Sequence, residues 1–555
     1  MNERTTKLSY LALPAFLGSV LLLCIDRYGV PVWHEGHFIQ VSTIRKLYLY
    51  HVFDFSEFFR QYDVHRLTFS LILTTALAGL TDWNPKAELL LAPISVTVSA
   101  LLVLQLQRKT CAHLPKLVGI ALYGTATCCL YSLTQWRSWL RGNHLHYFLL
   151  TAVVLGVIVA LSTSTLTLRR GALAALLCLV ASFTFTNGLL SWMIALPLLL
   201  YGIDRSSRTF GVRRRILAAC VWLVLWAAVV QAYYWRYRVV ANEPDYQAAF
   251  HDPGRAIAYF ALYIGKPLSP LHDVVAIALG AAMMVILLYL TFRRRLWHQP
   301  QARPWLALFA FVALSGAMAT IGRTAEPFNI VNRYIPFATP GVIAWFYLLA
   351  LAVRRPVAVA VSLSGIAGSI IVHSVLSLPG WERHFVAQRQ GLACLQVYEV
   401  ASPDCLRALA PALPEAARRG AAMLEELGYL QTFRLPPQVS VGQEPAPEAG
   451  AWESARVVES GALRLDGWAV DDDCSGADHV VVTPGNTLDI VGHTVAVIPR
   501  PGLRHRFGDC AARSGWSVVV NPVVDARDLR VWRYDESRAT LFLLGAQEKR
   551  NGFDR

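Results

Sequence analysis

Negative charge is in short supply in this sequence. Its 37 aspartates and glutamates face 51 lysines and arginines, a formal charge of +14 over 555 residues. No Asp, Glu or Lys falls in the middle of any long apolar run. Ion- and proton-coupled transporters use such groups as relays, so their absence argues against a secondary transporter. The first run, Tyr10 to Cys24, lacks an A-x-A cleavage pattern, which points to a retained span instead of a removed signal. No internal repeat is present, which excludes solenoids and propellers.

Apolar sequence is abundant instead. Hydrophobic residues make up 55% of the chain and the mean hydropathy is +0.41, outside the range of ordinary soluble domains. Runs of about 16 to 22 residues, long enough to cross roughly 30 Å of hydrocarbon, recur from Tyr10 to Leu376. The spans expected are 10–30, 87–107, 117–133, 144–164, 171–187, 188–203, 216–235, 272–292, 305–322, 337–353 and 357–376.

A strongly basic chain could be read as binding nucleic acid, but the distribution of charge says otherwise. Arg108-Lys109, Arg169-Arg170, Arg205 to Arg215, Arg293-Arg294-Arg295 and Arg354-Arg355 each sit in a short connection between spans. That is the positive-inside pattern, so these connections and the N-terminus face the cytoplasm and no nucleic-acid partner is implied. Residues 67–82 are apolar enough to span, yet counting them would invert every later connection. They are therefore expected to re-enter from the outer side, which is tolerated only beside protein or a water-filled cavity. Residues 31–86 become one long outer loop with juxtamembrane helices. The chain is expected to have about eleven spans in a bacterial cytoplasmic (inner) membrane, with its C-terminus outside.

Three regions follow: a transmembrane domain over 1–376, a mixed, partly helical connector over 377–450, and a β-sandwich-like domain over 451–555. The last shows short β-type runs at Leu463 to Val470, Val480 to Val482, Val495 to Ile498, Trp516 to Val520, Leu529 to Trp532 and Thr540 to Leu544, separated by turn residues. Cys394, Cys405, Cys474 and Cys510 lie in this outer tail. Four cysteines in an oxidising compartment allow three pairings, of which Cys394–Cys405 with Cys474–Cys510 is favoured.

Several polar groups could carry chemistry. Glu35, in Trp33-His34-Glu35-Gly36-His37, is the candidate general base of the first outer loop. His34 and His37 flank it as candidate ligands for a divalent cation, although the loop is not a helical H-E-x-x-H. Tyr62-Asp63-Val64-His65-Arg66 opens the re-entrant segment. The second outer connection, Gln135 to His144, joins Trp136 with Arg137 and Arg141, side chains that can stack on and grip a sugar phosphate. Arg333, with Tyr334 beside it, stands where the tenth span enters the membrane from outside, and arginine suits a leaving phosphate through its bidentate fork. The connection 236–273 is long enough to be functional, but its residues cannot be ranked.

This layout resembles the GT-C superfamily of integral-membrane glycosyltransferases, in which a first span is followed by an outer loop opening on an acidic motif. Glu35-Gly36 matches the second acid and the small residue, His65 heads the juxtamembrane segment, and Arg108-Lys109 matches the cytoplasmic turn. Arg141 matches the arginine of the second outer loop. The chain departs twice, because His34 replaces the first acid and the second loop holds no carboxylate. Tyr62 to Arg66, Trp136 to Gly142 and Asn332-Arg333-Tyr334 look like a group of bacterial polytopic membrane proteins. Gly467-Trp468-Ala469-Val470-Asp471 looks like a motif of small β domains appended to cell-surface sugar enzymes. The resemblance implies transfer of a sugar from a polyprenyl-phosphate donor to a glycan or lipid acceptor. Glu35 would be the base, with His65, Arg66, Trp136, Arg141, Arg333 and Tyr334 on the substrate side. A polymerase or ligase of lipid-linked glycans, and a non-catalytic glycolipid scaffold or flippase, are the alternatives.

Overall fold

A computed structural model describes residues 3–163, 167–201, 212–239, 245–353, 355–442, 450–471, 475–485, 487–521 and 528–546. In chain order the helices are α1 (Glu3–Tyr28), α2 (Glu35–Tyr48), α3 (Thr68–Thr81), α4 (Pro85–Glu88), α5 (Leu91–Thr110), α6 (Lys116–Leu130), α7 (Trp136–Trp139), α8 (Leu145–Leu161), α9 (Leu168–Ser182), α10 (Leu190–Tyr201) and α11 (Val212–Tyr234). They continue with α12 (Ala248–His251), α13 (Pro253–Gly265), α14 (Asp273–Arg293), α15 (Arg303–Arg323), α16 (Ile335–Ala352), α17 (Pro356–Leu376), α18 (Leu378–Gln396), α19 (Pro403–Leu406), α20 (Pro414–Glu426) and α21 (Arg504–Phe507). The chain divides into two compact units. The first holds Met1–Gly29, Asp54–Leu77 and Ala87–Trp381; the second holds Val30–Phe53, Ala78–Lys86 and Glu382–Arg555.

Among the described residues nine helical segments are long and apolar enough to cross a membrane, so by length and composition the chain is a multi-pass membrane protein. The expected spans 171–187 and 188–203 fall on α9 and α10, of 15 and 12 residues. α3, with 14 residues, reaches about 21 Å at 1.5 Å per residue and is too short to cross alone.

Within the first unit α8 and α16 are its most enclosed candidate spans, with 78% and 83% of their apolar windows buried. Trp305 of α15 stacks on Tyr347 of α16 at 3.8 Å, and the Tyr347 hydroxyl bonds to Gln107 of α5. The unranked connection 236–273 contains α13, which pairs with α14 through two glycines. A Cβ at Gly265 would lie 1.9 Å from the Ala276 carbonyl oxygen, and one at Gly280 would lie 1.9 Å from that of Ala261. Backbones at that distance are the small-residue packing of membrane helices, where lipid offers apolar side chains no driving force to associate. A hairpin of β1 (Gln61–Tyr62) and β2 (His65–Arg66) precedes α3.

The second unit shows that part of the segment 31–86 folds with the C-terminal region. Phe38 of α2 packs on Gly420 of α20, around a core that includes Trp33, Val41, Trp83 and Leu424. Cys394 and Cys405 are joined by a disulfide; the expected Cys474–Cys510 pair falls outside the described residues. The β region forms two sheets from β3 (Ser440–Val441), β4 (Gly450–Val457), β5 (Leu463–Ala469), β6 (Val480–Pro484), β7 (Gly492–Thr494), β8 (Gly515–Val520), β9 (Leu529–Asp535), β10 (Thr540–Leu543) and β11 (Gly545–Ala546). Their orders are β3-β10-β9-β6-β7 and β11-β4-β5-β8. Leu465, Val482, Trp516, Val518 and Val531 fill the space they enclose. Two expectations need correction. β4, whose second half presents Arg456 and Val457 to solvent and so lacks an apolar run, is an added strand. Val495 to Ile498 is not a strand; β7 precedes it, and Ile498 makes one bridge to Gly515.

Candidate functional site

The segment Trp33 to His37 is the start of a helix and not an open loop. Glu35 is the first residue of α2 and is half-buried, with its N–H donating to the Leu409 carbonyl at 3.2 Å. The buried His37 Nδ1 accepts from the His34 N–H at 2.9 Å, which closes the helix start as a capping side chain does. His34 Nε2 accepts from the Gln388 amide at 3.1 Å. A cation would need a third ligand besides His34 and His37, and no group of His, Cys, Asp or Glu able to hold a metal occurs among the described residues. All three residues belong to the second unit.

The other candidates lie in the first unit. Arg66 of β2 is buried, and its guanidinium is committed to main-chain oxygens. Nε donates to Tyr233 at 2.6 Å, Nη2 to Trp235 at 2.5 Å, and Nη1 to Phe59. This fastens the hairpin to the end of α11. His65 Nδ1 is 2.6 Å from the Thr186 hydroxyl, and its ring stacks on Phe185 at 3.9 Å. Burial, helped by the nearby His146 and Arg323, pushes the His65 pKa down to about 3, so this imidazole is neutral at pH 7. His146 stacks on Phe185 at 4.9 Å.

Arg141 precedes a 3-10 turn, Gly142–His144, that packs on a carboxylate: a Cβ at Gly142 would meet Glu88 Oε2 at 2.5 Å, and Glu88 is buried. The second connection thus has an acid at its side, supplied by α4. Arg137 lies over the Trp136 ring at 5.2 Å, and Trp136 itself lies against Gly380.

Arg333 and Tyr334 end a second 3-10 turn, Phe328–Tyr334, that leads into α16. Arg255 of α13 secures the approach to this turn by donating to the Thr324 carbonyl at 2.6 Å and to that of Glu326 at 2.9 Å, with its guanidinium over Phe328. Arg323 pairs with Glu326. The Arg333 guanidinium lies 5.9 Å from the Tyr334 ring. Among the described residues it has neither a carboxylate partner nor a hydrogen bond, and the same holds for Arg137. α7, which carries Arg137, lies against the 328–334 turn, so the two positive charges stand on neighbouring elements. Arg141, Arg323, Arg333 and Tyr334 all lie within electrostatic reach of Tyr147 on α8.

The first unit therefore brings Arg141, Arg333 and Tyr334 together, with His65 beside His146 and Arg323, while Arg66 faces carbonyls. Sequence reasoning passed over Arg323, His146, Tyr147 and Phe185. Arg137 was signalled by its place in the Trp-Arg motif; the others depend on tertiary proximity.

No family model matches the chain, and no curated protein matches it. Among solved structures it is similar to the crystal structure of ArnT from Cupriavidus metallidurans bound to undecaprenyl phosphate. The two are 13% identical with a TM-score of 0.35, over 79% of this chain and 83% of that one.

Proposed function

We propose that this chain is a GT-C-type glycosyltransferase that moves a sugar from a polyprenyl-phosphate donor to a cell-envelope glycan or lipid acceptor on the extracytoplasmic face. About eleven spans, a cytoplasmic N-terminus and an outer C-terminal unit in a bacterial inner membrane go with this reading. One observation carries it. Arg137, on α7, and Arg333, on the 328–334 turn that α7 lies against, are both without a carboxylate partner among the described residues. Like charges held together lose Coulomb energy, and a phosphate between them converts that loss into gain, with charge-assisted bonds.

In the proposed reaction Glu35 removes the proton of the acceptor hydroxyl as its oxygen attacks the anomeric carbon. The bond from that carbon to the phosphate oxygen breaks, and its electron pair stays on the phosphate. Arg333, with Arg137 and Arg141, neutralises the charge that develops there. The products are the glycosylated acceptor and polyprenyl phosphate, and the proton resides on Glu35. Arg66 is left out of the clamp because each of its three guanidinium nitrogens already donates to a main-chain oxygen.

The test compares wild type with Glu35→Gln and Arg333→Gln in membranes supplied with polyprenyl-phosphate sugars, following release of lipid phosphate. Loss of a general base lowers turnover by about 10²- to 10⁴-fold, with donor binding retained. Loss of Arg333 weakens donor binding by about 10- to 100-fold, as expected for a hydrogen bond to a charged group. Turnover that survives Glu35→Gln but not Arg333→Gln would favour a polymerase or ligase of lipid-linked glycans. Binding without turnover in wild type, across donors and acceptors, would favour a scaffold.

A further inference from the structure

Four tyrosines gather around Arg333: Tyr147 on α8, Tyr259 on α13 and Tyr334 lie within its reach, and Tyr263 on α13 stands beside Tyr334. Tyr259 lies within electrostatic reach of Tyr334, Arg323 and Arg333, and the Tyr263 ring is 6.2 Å from that of Tyr334. Tyr259 and Tyr263 are one helical turn apart and buried, at 0% and 1% exposure. Neither hydroxyl has a hydrogen-bond partner among the described residues, and neither has the Asn332 Oδ1 atom on the adjoining turn.

A buried phenol normally finds a partner. Phenylalanine at either position would pack the same ring without leaving a polar atom unpaired. The rings are well fixed. Gly316 of α15 gives Tyr263 room, since a Cβ there would meet its ring at 2.7 Å, and Gly265 and Gly280 hold α13 against α14. The hydroxyls are therefore held in place with no partner among the described residues.

We infer that Tyr259 and Tyr263, with Asn332, form the neutral wall of the arginine site and bind the ring hydroxyls of the sugar on the donor phosphate. This inference rests on the proposed function and deepens it. The charged side of the site takes the phosphate, common to every donor. The neutral side takes hydroxyls, which differ between sugars and bond well to phenol and amide groups. Tyr259 and Tyr263 are then specificity-determining residues, and the head group is a polyhydroxylated sugar.

The experiment uses the full chain in lipid nanodiscs, as wild type, Tyr259→Phe, Tyr263→Phe and Arg333→Gln. Binding is measured for bare polyprenyl phosphate, a panel of polyprenyl-phosphate hexoses, and a soluble hexose 1-phosphate. We expect at least one hexose donor to bind wild type more tightly than the bare lipid. Each Tyr→Phe change should cost that donor about 10-fold, the scale of one hydrogen bond left unmade, and leave bare polyprenyl phosphate unchanged. Thermal stability should not fall, because only an unpaired hydroxyl is removed. Tight binding of the soluble hexose 1-phosphate by wild type, with the same tyrosine dependence, would place recognition in the head group alone and support the wall equally. The inference is overturned if no hexose donor outbinds the bare lipid, or if the phenylalanine variants weaken both lipids equally or neither. If Arg333→Gln also leaves every lipid's affinity unchanged, the parent reading fails as well.

Discussion

His493 on β7 makes the stability of the β region depend on pH, with a sign the structure determines. The side chain is fully buried, and its Nδ1 lies 3.1 Å from the Ala393 carbonyl oxygen. A carbonyl only accepts, so Nδ1 carries the hydrogen. Nε2 is then an acceptor, and His479 donates to it from Nδ1 at 3.0 Å. Phe433 stacks on both imidazoles, at 4.3 Å and 4.6 Å. Protonating His493 destroys its acceptor and places a buried positive charge beside a second histidine. Burial accordingly pushes its pKa down to about 3, with His479 adding to the shift. The pKa of His479 is also lowered by burial, with Arg389 acting in the same direction and Glu536 and Asp478 opposing it.

In the unfolded chain a histidine titrates near pH 6.5, so between there and about pH 3 the unfolded state binds a proton that the folded state refuses. Stability is fully present above pH 6.5 and is lost as pH falls, by 1.36 kcal/mol per pH unit for one group. From pH 6.5 to 5.0 that is about 2 kcal/mol for His493, and His479 acts with the same sign. Hydrogen exchange on the intact protein measures it: after correction for intrinsic exchange, protection of β6 and β7 should fall about 30-fold between pH 7.5 and 5.0. His493→Gln should remove most of that slope. Equal corrected protection at the two pH values in wild type would refute the reasoning.

Other perturbations test the packing. Gly280→Ala pushes a methyl into the Ala261 carbonyl and should cost at least the ~1–3 kcal/mol typical of overpacking; it lowers Tm in detergent and weakens donor binding together, because α13 carries the tyrosines. Arg66→Met removes three charge-assisted bonds of about 1.5–3 kcal/mol each, so it should lower Tm steeply while donor KM in the surviving folded protein stays unchanged. Reducing the Cys394–Cys405 bridge, with a sequence separation of 11, should cost about 3 kcal/mol by loop-closure entropy, seen as faster exchange in α18 and α19.

The apolar runs were legible because length and hydropathy suffice for a helix that must satisfy its own backbone in lipid. Most β runs were legible because alternating strands carry their periodicity locally. β4 was not, since Arg456 and Val457 face solvent and its pattern fades halfway. The spacing of His34 and His37 suits a metal as well as a helix start; the backbone conformation that makes His37 a cap is invisible in composition. Arg66 illustrates the deeper limit. Its acceptors are main-chain oxygens, two of them 167 and 169 residues away, and a carbonyl leaves no mark in the sequence to distinguish it from a phosphate.

Energy argues that the arginine and tyrosine cluster serves a ligand and not the fold. An unmade bond at a buried hydroxyl costs about 1–3 kcal/mol, so Tyr259 and Tyr263 together cost roughly 2–6 kcal/mol. A typical domain is stable by only ~5–15 kcal/mol. Phenylalanine at both sites would recover that cost without changing a contact between rings, and glutamine at Arg333 would end its repulsion with Arg137. Nothing in the packing described here requires those hydroxyls or that charge. Arg66, Arg255 and Arg323 show the contrast, since each donates to carbonyls or a carboxylate. Arg137 and Arg333 have no such partner among the described residues, and Arg333 lies within electrostatic reach of Tyr147 and Tyr259.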